Sequence, residues 1–248
     1  MTLEQFFAEN REVAIAFSGG VDSAYLLYAA TRYAARVKAY YVSTAFQPEF
    51  ELADARRLAD ELGADMLVLH VDVLSNSAVT ANPSDRCYHC KNTLFRQILR
   101  AAENDGFPVL LDGTNASDDA GDRPGMRALR ELSVRSPLRE CGLTKAEIRR
   151  LSREAGLFTW DKPAYACLAT RIRTGEEITL QKLKQTEKAE GFLFGLGFRD
   201  FRVRMVGNTA KLELREADLP LLLENREEIV TELRKDYDSV LLNLEVRK

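Results

Sequence analysis

The residues best equipped for chemistry are Ser18-Gly19-Gly20-Val21-Asp22-Ser23. They follow a short apolar run, Glu12–Phe17, and precede an amphipathic stretch, Ala24–Ala35. Two glycines permit positive φ and close backbone approach, so successive N–H groups can turn toward one anion. A helix starting directly behind them adds its dipole and its unbonded N–H donors. Ser18 and Ser23 contribute hydroxyls, and Asp22 is a carboxylate suited to a Mg2+ ion that bridges phosphate oxygens. The lysine of a GxxxxGK[ST] loop is absent, so this is not a Walker loop. The bland alternative is a plain glycine turn from strand to helix. A second loop, Asp112-Gly113-Thr114-Asn115, closes a later apolar run and reads either as part of the same site or as a β-turn with an Asn cap.

The cysteines form the other group. Cys87 and Cys90 make a CxxC pair, and Cys167 stands alone in Ala164-Tyr-Ala-Cys-Leu-Ala-Thr-Arg171. Two thiolates at that spacing can chelate one metal centre, and a third from a distant segment would extend the site. Three thiolates on an iron–sulfur cubane leave one iron open. Zinc would want a fourth ligand, for which Cys141, His89 and His70 are the candidates. Three unrelated buried cysteines are the alternative, since a thiol packs well as a small hydrophobe. Cys141 reads as structural. Four cysteines in 248 residues are too few for a disulfide framework.

With 35 basic and 38 acidic residues, the net charge of −3 argues against a protein that coats nucleic acid. No apolar run approaches the roughly 20 residues of a membrane span. The polar, acidic stretch Met1–Arg11 has no signal-peptide character, so a cytoplasmic protein is expected.

The elements that must position these groups are legible in outline. Strands are expected at Glu12–Phe17, Val37–Ser43, Asp65–Val71 and Val109–Asp112. Helices alternate with them at Ala24–Ala35, Phe50–Leu62 and about Asn92–Glu103. That alternation predicts an α/β fold with a parallel sheet, whose ligands sit beyond the carboxyl ends of the strands. Thr144-Lys-Ala-Glu147 is a capping box opening a helix that stops at Gly156. From Ile178 the pattern changes to a helix at Gln181–Glu190 and strands at Phe201–Val206 and Ala210–Leu214 joined through Gly207-Asn208. A helix at Leu219–Arg234 and a strand at Val240–Val246 complete it. This predicts a domain over residues 1–175 and a small α+β domain over 176–248, the latter for substrate binding or oligomerisation.

The Ser18–Ser23 motif resembles the PP-loop of the ATP pyrophosphatases, which have a Rossmann-like, adenine nucleotide alpha hydrolase-like fold. The resemblance implies cleavage of ATP to AMP and pyrophosphate with adenylylation of a substrate. It places Ser43 near the adenine and Gly113 and Thr114 near the α-phosphate. Further segments are similar to the LarE-type sulfur transferases: Asn82-Pro-Ser-Asp-Arg-Cys-Tyr-His-Cys-Lys91, Arg123-Pro-Gly-Met-Arg-Ala-Leu129, Ser136-Pro-Leu138, Gly142–Arg149, and Thr159-Trp-Asp-Lys-Pro-Ala164 with Cys167 and Arg171. The likeness spans about residues 10–175; the remainder fits in length and order only.

By that resemblance the chain is an ATP-dependent sulfur transferase. It would adenylylate the carboxylates of a pyridinium dicarboxylate mononucleotide and convert them to thiocarboxylates, in biosynthesis of the nickel-pincer nucleotide of lactate racemase. One branch of the family carries a lone cysteine, matched here by Cys167, which surrenders its own sulfur. The other carries three that hold a 4Fe-4S cluster with an exchangeable sulfide, and Cys87, Cys90 and Cys167 match it. The sacrificial route on Cys167 is the runner-up, and tRNA thiolation by a related enzyme is a second rival. An ammonia-using synthetase would leave the cysteines idle, and a non-catalytic carrier would bind ATP without releasing pyrophosphate.

Arg123, Arg127, Lys162 and Arg171 lie in matched motifs and suit a substrate bearing phosphate and carboxylates. Arg202, Arg204, Lys211 and Glu213 either face that phosphate or form a solvated sheet face. His70 is expected in the core, and Trp160 either there or stacked on a pyridinium ring. The expected cofactors are ATP, Mg2+ and the cluster. The expected partners are the small nucleotide, an unidentified sulfide donor and further copies of the chain, without nucleic acid or membrane.

Overall fold

Val13, Ala14 and Ile15 are all fully buried, as a strand covered by helices on both faces must be. The computed structural model describes residues 1–118 and 124–247. By its internal contacts the chain divides into two compact units, Met1–Val73 with Asp85–Lys162, and Leu74–Ser84 with Pro163–Lys248. The first unit contains an all-parallel sheet of β1 (Glu12–Ala16), β2 (Arg36–Ser43), β3 (Asp65–His70) and β4 (Val109–Leu111), in the order β3-β2-β1-β4. The α/β expectation holds. The order reverses between β1 and β4, which makes the carboxyl ends of those two strands the switch point where such sheets bind ligands.

In chain order the helices of this unit are α1 (Leu3–Glu9), α2 (Val21–Tyr33) and α3 (Glu49–Leu62). The chain then visits the second unit, where it forms α4 (Ser77–Thr80). It returns as α5 (Arg86–Asn104), α6 (Pro124–Glu131), α7 (Pro137–Glu140) and α8 (Lys145–Glu154). One face of the sheet packs Phe6, Phe7, Leu26, Leu58 and Ile148 against Val13 and Ile15. The other packs Ile98 and Ala102 of α5 against Ala14 and Tyr40. The Thr144–Glu147 capping box forms, and Gly63 ends α3 at φ 59, a left-handed position where glycine carries no Cβ penalty.

The second unit holds α9 (Leu180–Gly195), β5 (Arg202–Val206), β6 (Thr209–Glu213), α10 (Leu219–Glu224), α11 (Arg226–Leu233) and β7 (Ser239–Leu242). Its three-stranded sheet runs β5-β6-β7, with the first pair antiparallel through the Gly207-Asn208 turn and the second parallel. The single helix expected over Leu219–Arg234 is two. Asn225 breaks it, its side-chain amide donating to the Leu221 carbonyl at 2.9 Å in competition with the helical ladder. The helix expected from Asn92 begins at Arg86 and so includes the CxxC pair. Among the described residues, no helix is long and apolar enough to cross a membrane.

Residues 74–84 are held in the second unit by Asn82. This side chain is fully buried and sits at φ 53, a left-handed conformation that asparagine tolerates. Its Nδ2 donates to the carbonyls of Arg173 at 2.8 Å and Glu176 at 3.1 Å, and its own carbonyl accepts from Gly175 N–H at 2.8 Å. Asn82→Ala would strand those buried carbonyls and strain the backbone together. The expected loss is about 2–4 kcal/mol of unfolding free energy, measured by urea denaturation. A loss below about 0.5 kcal/mol would mean that water replaces the amide without cost.

Candidate active site

Between the end of β1 and the start of α2, the chain turns through Phe17–Gly20. Gly19 sits at φ +72, and a Cβ there would lie 3.2 Å from the Ala55 Cβ and 3.4 Å from the Glu51 carbonyl of α3. Gly20 is the N-cap of α2 and supplies no side-chain cap, so its first-turn N–H groups face outward from the loop's mouth. The hydroxyls of Ser18 and Ser23 stand 3.0 Å apart, and Ser23 Oγ donates to the Gly20 carbonyl at 3.1 Å. Val21 contributes its N–H while its side chain enters the core. An anion set at this mouth would meet the N–H groups of the first turn of α2 and the Ser18 hydroxyl, the arrangement of an anion cradle.

The second loop meets the first. A Cβ on Gly113 would lie 2.9 Å from Ser23 N and 3.1 Å from Ser23 Cα, so only glycine lets the end of β4 pack on the start of α2. Asp112 is buried and its carboxylate accepts from the hydroxyls of Thr114 and of Ser136, the latter at 2.6 Å. Asn115 Nδ2 donates to Asp22 Oδ1 at 3.4 Å, while Lys145 Nζ lies 2.5 Å from Asp22 Oδ2. Lys145 was not among the sequence candidates. Its only local signal is its place as first residue of the capping-box helix, 123 positions from its partner.

A cavity of about 140 Å³ opens beside the anion cradle, between β1, β2 and α5, lined by residues that include Ser18, Val42, Gln47, Leu94, Phe95 and Ile98. Ser43 is adjacent in sequence to this lining but is not part of it; its carbonyl accepts from Val71 N–H at 3.0 Å.

Several candidate cations have other commitments. Arg123 lies outside the described residues. The Arg127 guanidinium stacks 4.0 Å over the Tyr88 ring, with Glu131 at 3.8 Å. Lys162 Nζ is held by Glu51 at 2.9 Å and Asp54 at 2.7 Å. Burial pushes the Glu51 carboxyl up, further than the neighbouring lysine draws it down. Arg171 is fully buried, and its Nε and Nη2 bond the two oxygens of Glu190 at 2.8 and 3.0 Å.

Cys87 and Cys90 occupy the first turns of α5, and Arg86 Nη2 lies 4.0 Å from Cys87 Sγ. Cys141 packs against the core of the first unit, and burial pushes its thiol up. Cys167 belongs to the second unit, as N-cap of a 3₁₀ turn at Leu168–Arg171. No disulfide joins any of the four. Within either unit, among the described residues, no three His, Cys, Asp or Glu side chains gather so as to hold a metal.

The segment carrying Cys167 is irregular, yet its carbonyls are held by arginines. Arg202 donates to the Ala164 carbonyl, Arg171 to that of Ala166 at 2.9 Å and Arg204 to that of Thr170. Glu190 is the hub, accepting also from Tyr165 OH and from Val203 N–H at 2.9 Å. Burial alone would depress the Arg171 guanidinium, but its bonds to Glu190 and the charge of that carboxylate hold it above the ordinary arginine value. Arg202, buried and beside Arg171, is pulled down to about 10.

Three expectations are corrected here. Arg202 does not belong to a solvated face, because it is 5% exposed and spends its donors on carbonyls, whereas Arg204 and Lys211 on the neighbouring strands are partly exposed. His70 is exposed at the end of the edge strand β3, where nothing covers it. Trp160 is 36% exposed, with the Arg153 guanidinium 5.0 Å from its ring.

Comparison with known proteins fits this geometry. The asparagine synthase family matches residues 4–118, the stretch carrying both loops. An uncharacterized protein of Synechocystis sp. is 40% identical over 215 residues, covering 86% of this chain and 80% of that protein. Pyridinium-3,5-bisthiocarboxylic acid mononucleotide synthase of Lactiplantibacillus plantarum is 34% identical over 218 residues, 87% of this chain and 79% of the synthase. The tRNA-specific 2-thiouridylase of Thermotoga petrophila is more distant, 26% identical over 191 residues and covering 59% of this chain and 52% of its own.

The Glu190 hub makes a quantitative expectation. Glu190→Ala leaves the Arg171 charge buried without its partner and should cost about 3–5 kcal/mol. Glu190→Gln keeps an acceptor and should cost less. Urea denaturation of both variants checks the order; equal small losses would show that Arg171 finds water instead.

Proposed function

Because this chain belongs to the LarE-type family of PP-loop ATP-dependent sulfur transferases, we propose that it thiolates the carboxylates of pyridinium-3,5-biscarboxylic acid mononucleotide, for the nickel-pincer nucleotide of lactate racemase. The observation that carries the reading is the packing of the Gly113 loop onto the start of α2, which brings the anion cradle, Asp22 and Lys145 to one switch point. ATP-dependent sulfur transfer follows from the family; the substrate and the sulfur route are our proposal.

A carboxylate oxygen of the substrate attacks the α-phosphorus, and the bond to pyrophosphate breaks. Sulfide then attacks the acyl carbon, and AMP leaves with the carboxylate oxygen. The Ser18 and Ser23 hydroxyls, with the N–H groups of Gly19 to Ser23, hold the pyrophosphate. Asp22 suits Mg2+: its carboxylate is partly exposed and now shared by Asn115 and Lys145. Asp22 would hold the ion, which would supply positive charge against the phosphate oxygens, and Lys145, now paired with Asp22, would be a second cation for the same phosphates. Arg127 remains a candidate for substrate anions, and Gly113 and Thr114 for the α-phosphate side. Arg171 acts instead through the backbone that it holds.

Cys87, Cys90 and Cys167 would hold the 4Fe-4S cluster. The donor set fits: three cysteines outside any disulfide, two of them one turn apart at the start of α5. Such a cluster supplies an exchangeable sulfide, which spares the protein at each turnover. The sacrificial route on Cys167 is the second reading.

Three expectations follow. Anaerobically purified protein should carry about four iron and four acid-labile sulfide per chain. Cys90→Ser should lose them and repeated turnover while still releasing pyrophosphate with the substrate. An iron-free chain whose Cys167 loses the mass of hydrogen sulfide after turnover would assign the sacrificial route. Asp22→Ala should slow pyrophosphate release by on the order of 100-fold with iron content unchanged; loss of iron would place Asp22 in another role.

A further inference from the structure

The apolar cavity beside the anion cradle is about 140 Å³. That is the scale of the roughly 150 Å³ engineered cavity that admits a benzene ring, so it suits a flat base and not a whole nucleotide. Placing the ATP base there rests on the ATP site proposed above. A cavity so apolar can hold a purine but needs a polar group to orient it.

The polar side chains on its walls reduce to one. Ser18 Oγ is engaged by Ser23 at 3.0 Å. Tyr40 OH donates to Asp105 at 2.7 Å. Tyr41 OH is buried without a partner, but Tyr41 packs in the core on the opposite face of the sheet from α5. Adjacent strand residues point to opposite faces, and the carboxylates that act on its hydroxyl are Glu51 and Asp54 of α3. Gln47 remains. Its Oε1 accepts from Thr44 N–H at 3.1 Å and from Thr44 Oγ1 at 2.6 Å. A backbone N–H can only donate, so the amide cannot be flipped and the donor end is Nε2. Among the described residues Nε2 has no hydrogen-bond partner, and the residue lines the cavity. Pro48 behind it is the N-cap of α3, which fixes the backbone φ there.

We infer that Gln47 reads the base: its fixed Nε2 amide donates to a ring nitrogen of the adenine seated between β1, β2 and α5. Thr44 is the positioning residue, holding the carboxamide so that only donors face the ligand.

Gln47→Glu separates this role from a structural one, because a carboxylate still accepts both Thr44 bonds but no longer donates. The expected result is ATP binding weaker by about tenfold in calorimetry, with Tm unchanged. The unmodified protein should bind one of 1-deaza-, 3-deaza- or 7-deaza-ATP more weakly by a similar factor, and Gln47→Glu should bind that analogue no more weakly than ATP. Unchanged ATP affinity in Gln47→Glu, or no analogue that discriminates, overturns the inference. Ala16→Leu, which fills the cavity, tests the underlying placement. If it abolishes ATP binding while Gln47→Glu does not, the base sits in the cavity and Gln47 does not read it. If it leaves ATP binding intact, the placement of the base fails, and Gln47 with it.

Discussion

The close approach of Gly113 to Ser23 is the constraint on which the first unit's chemistry depends. Ligand sites in parallel sheets arise where strand order reverses, but a reversal only opens a crevice. Here the crevice is narrowed until the loop after β4 rests on the backbone of the α2 N-terminus, too close for any Cβ. That contact brings Asn115 within reach of Asp22 and sets Asp112 to hold Thr114 and Ser136. Gly19 does the equivalent on the other side, where α3 approaches the cradle. Three helices and two strand ends thus converge on a loop of a few residues, and the anion donors inherit their rigidity.

The second unit solves a different problem. Cys167 needs a defined position, yet its segment has no regular hydrogen-bond ladder. The solution is to bring charge inside. A guanidinium and a carboxylate are each costly to bury alone, and Arg171 and Glu190 are tolerable only because every strong donor and acceptor in the pair is used. The same carboxylate then accepts from Tyr165 and from the backbone of β5. The network trades little net stability for one conformation of the loop that carries Cys167.

Much of the architecture was legible because local signals and tertiary need agreed. The four parallel strands each contain a short apolar stretch, and the Thr144–Glu147 box marks the start of its helix to the residue. The missed elements fall into two kinds. Helix α1 was overlooked on account of its polar composition, although Thr2 and Gln5 form a capping box and Leu3, Phe6 and Phe7 make an i, i+3, i+4 stripe. Its signal was present. The excursion of residues 74–84 into the second unit had none, since Asn82 acts through bonds to residues some ninety positions away.

The site divides along the same line. Glycine and serine in the first loop announce an anion cradle because the chemistry is done by neighbours in sequence. Charged candidates do not carry their availability with them. Lys162 and Arg171 have the right type for a ligand, but the carboxylates that hold them lie 111, 108 and 19 positions away. Lys145 shows the converse, an unremarked helix-start lysine that reaches the loop aspartate only after folding. Residue type tells what a side chain can do; burial and its distant partner decide whether it is free to do it. Arg202 shows it again, since a strand arginine that could face either a phosphate or water is instead buried, donating to the Ala164 carbonyl. A motif search therefore marks Lys162 and Arg171 by type, while the folded chain commits both to neighbouring carboxylates.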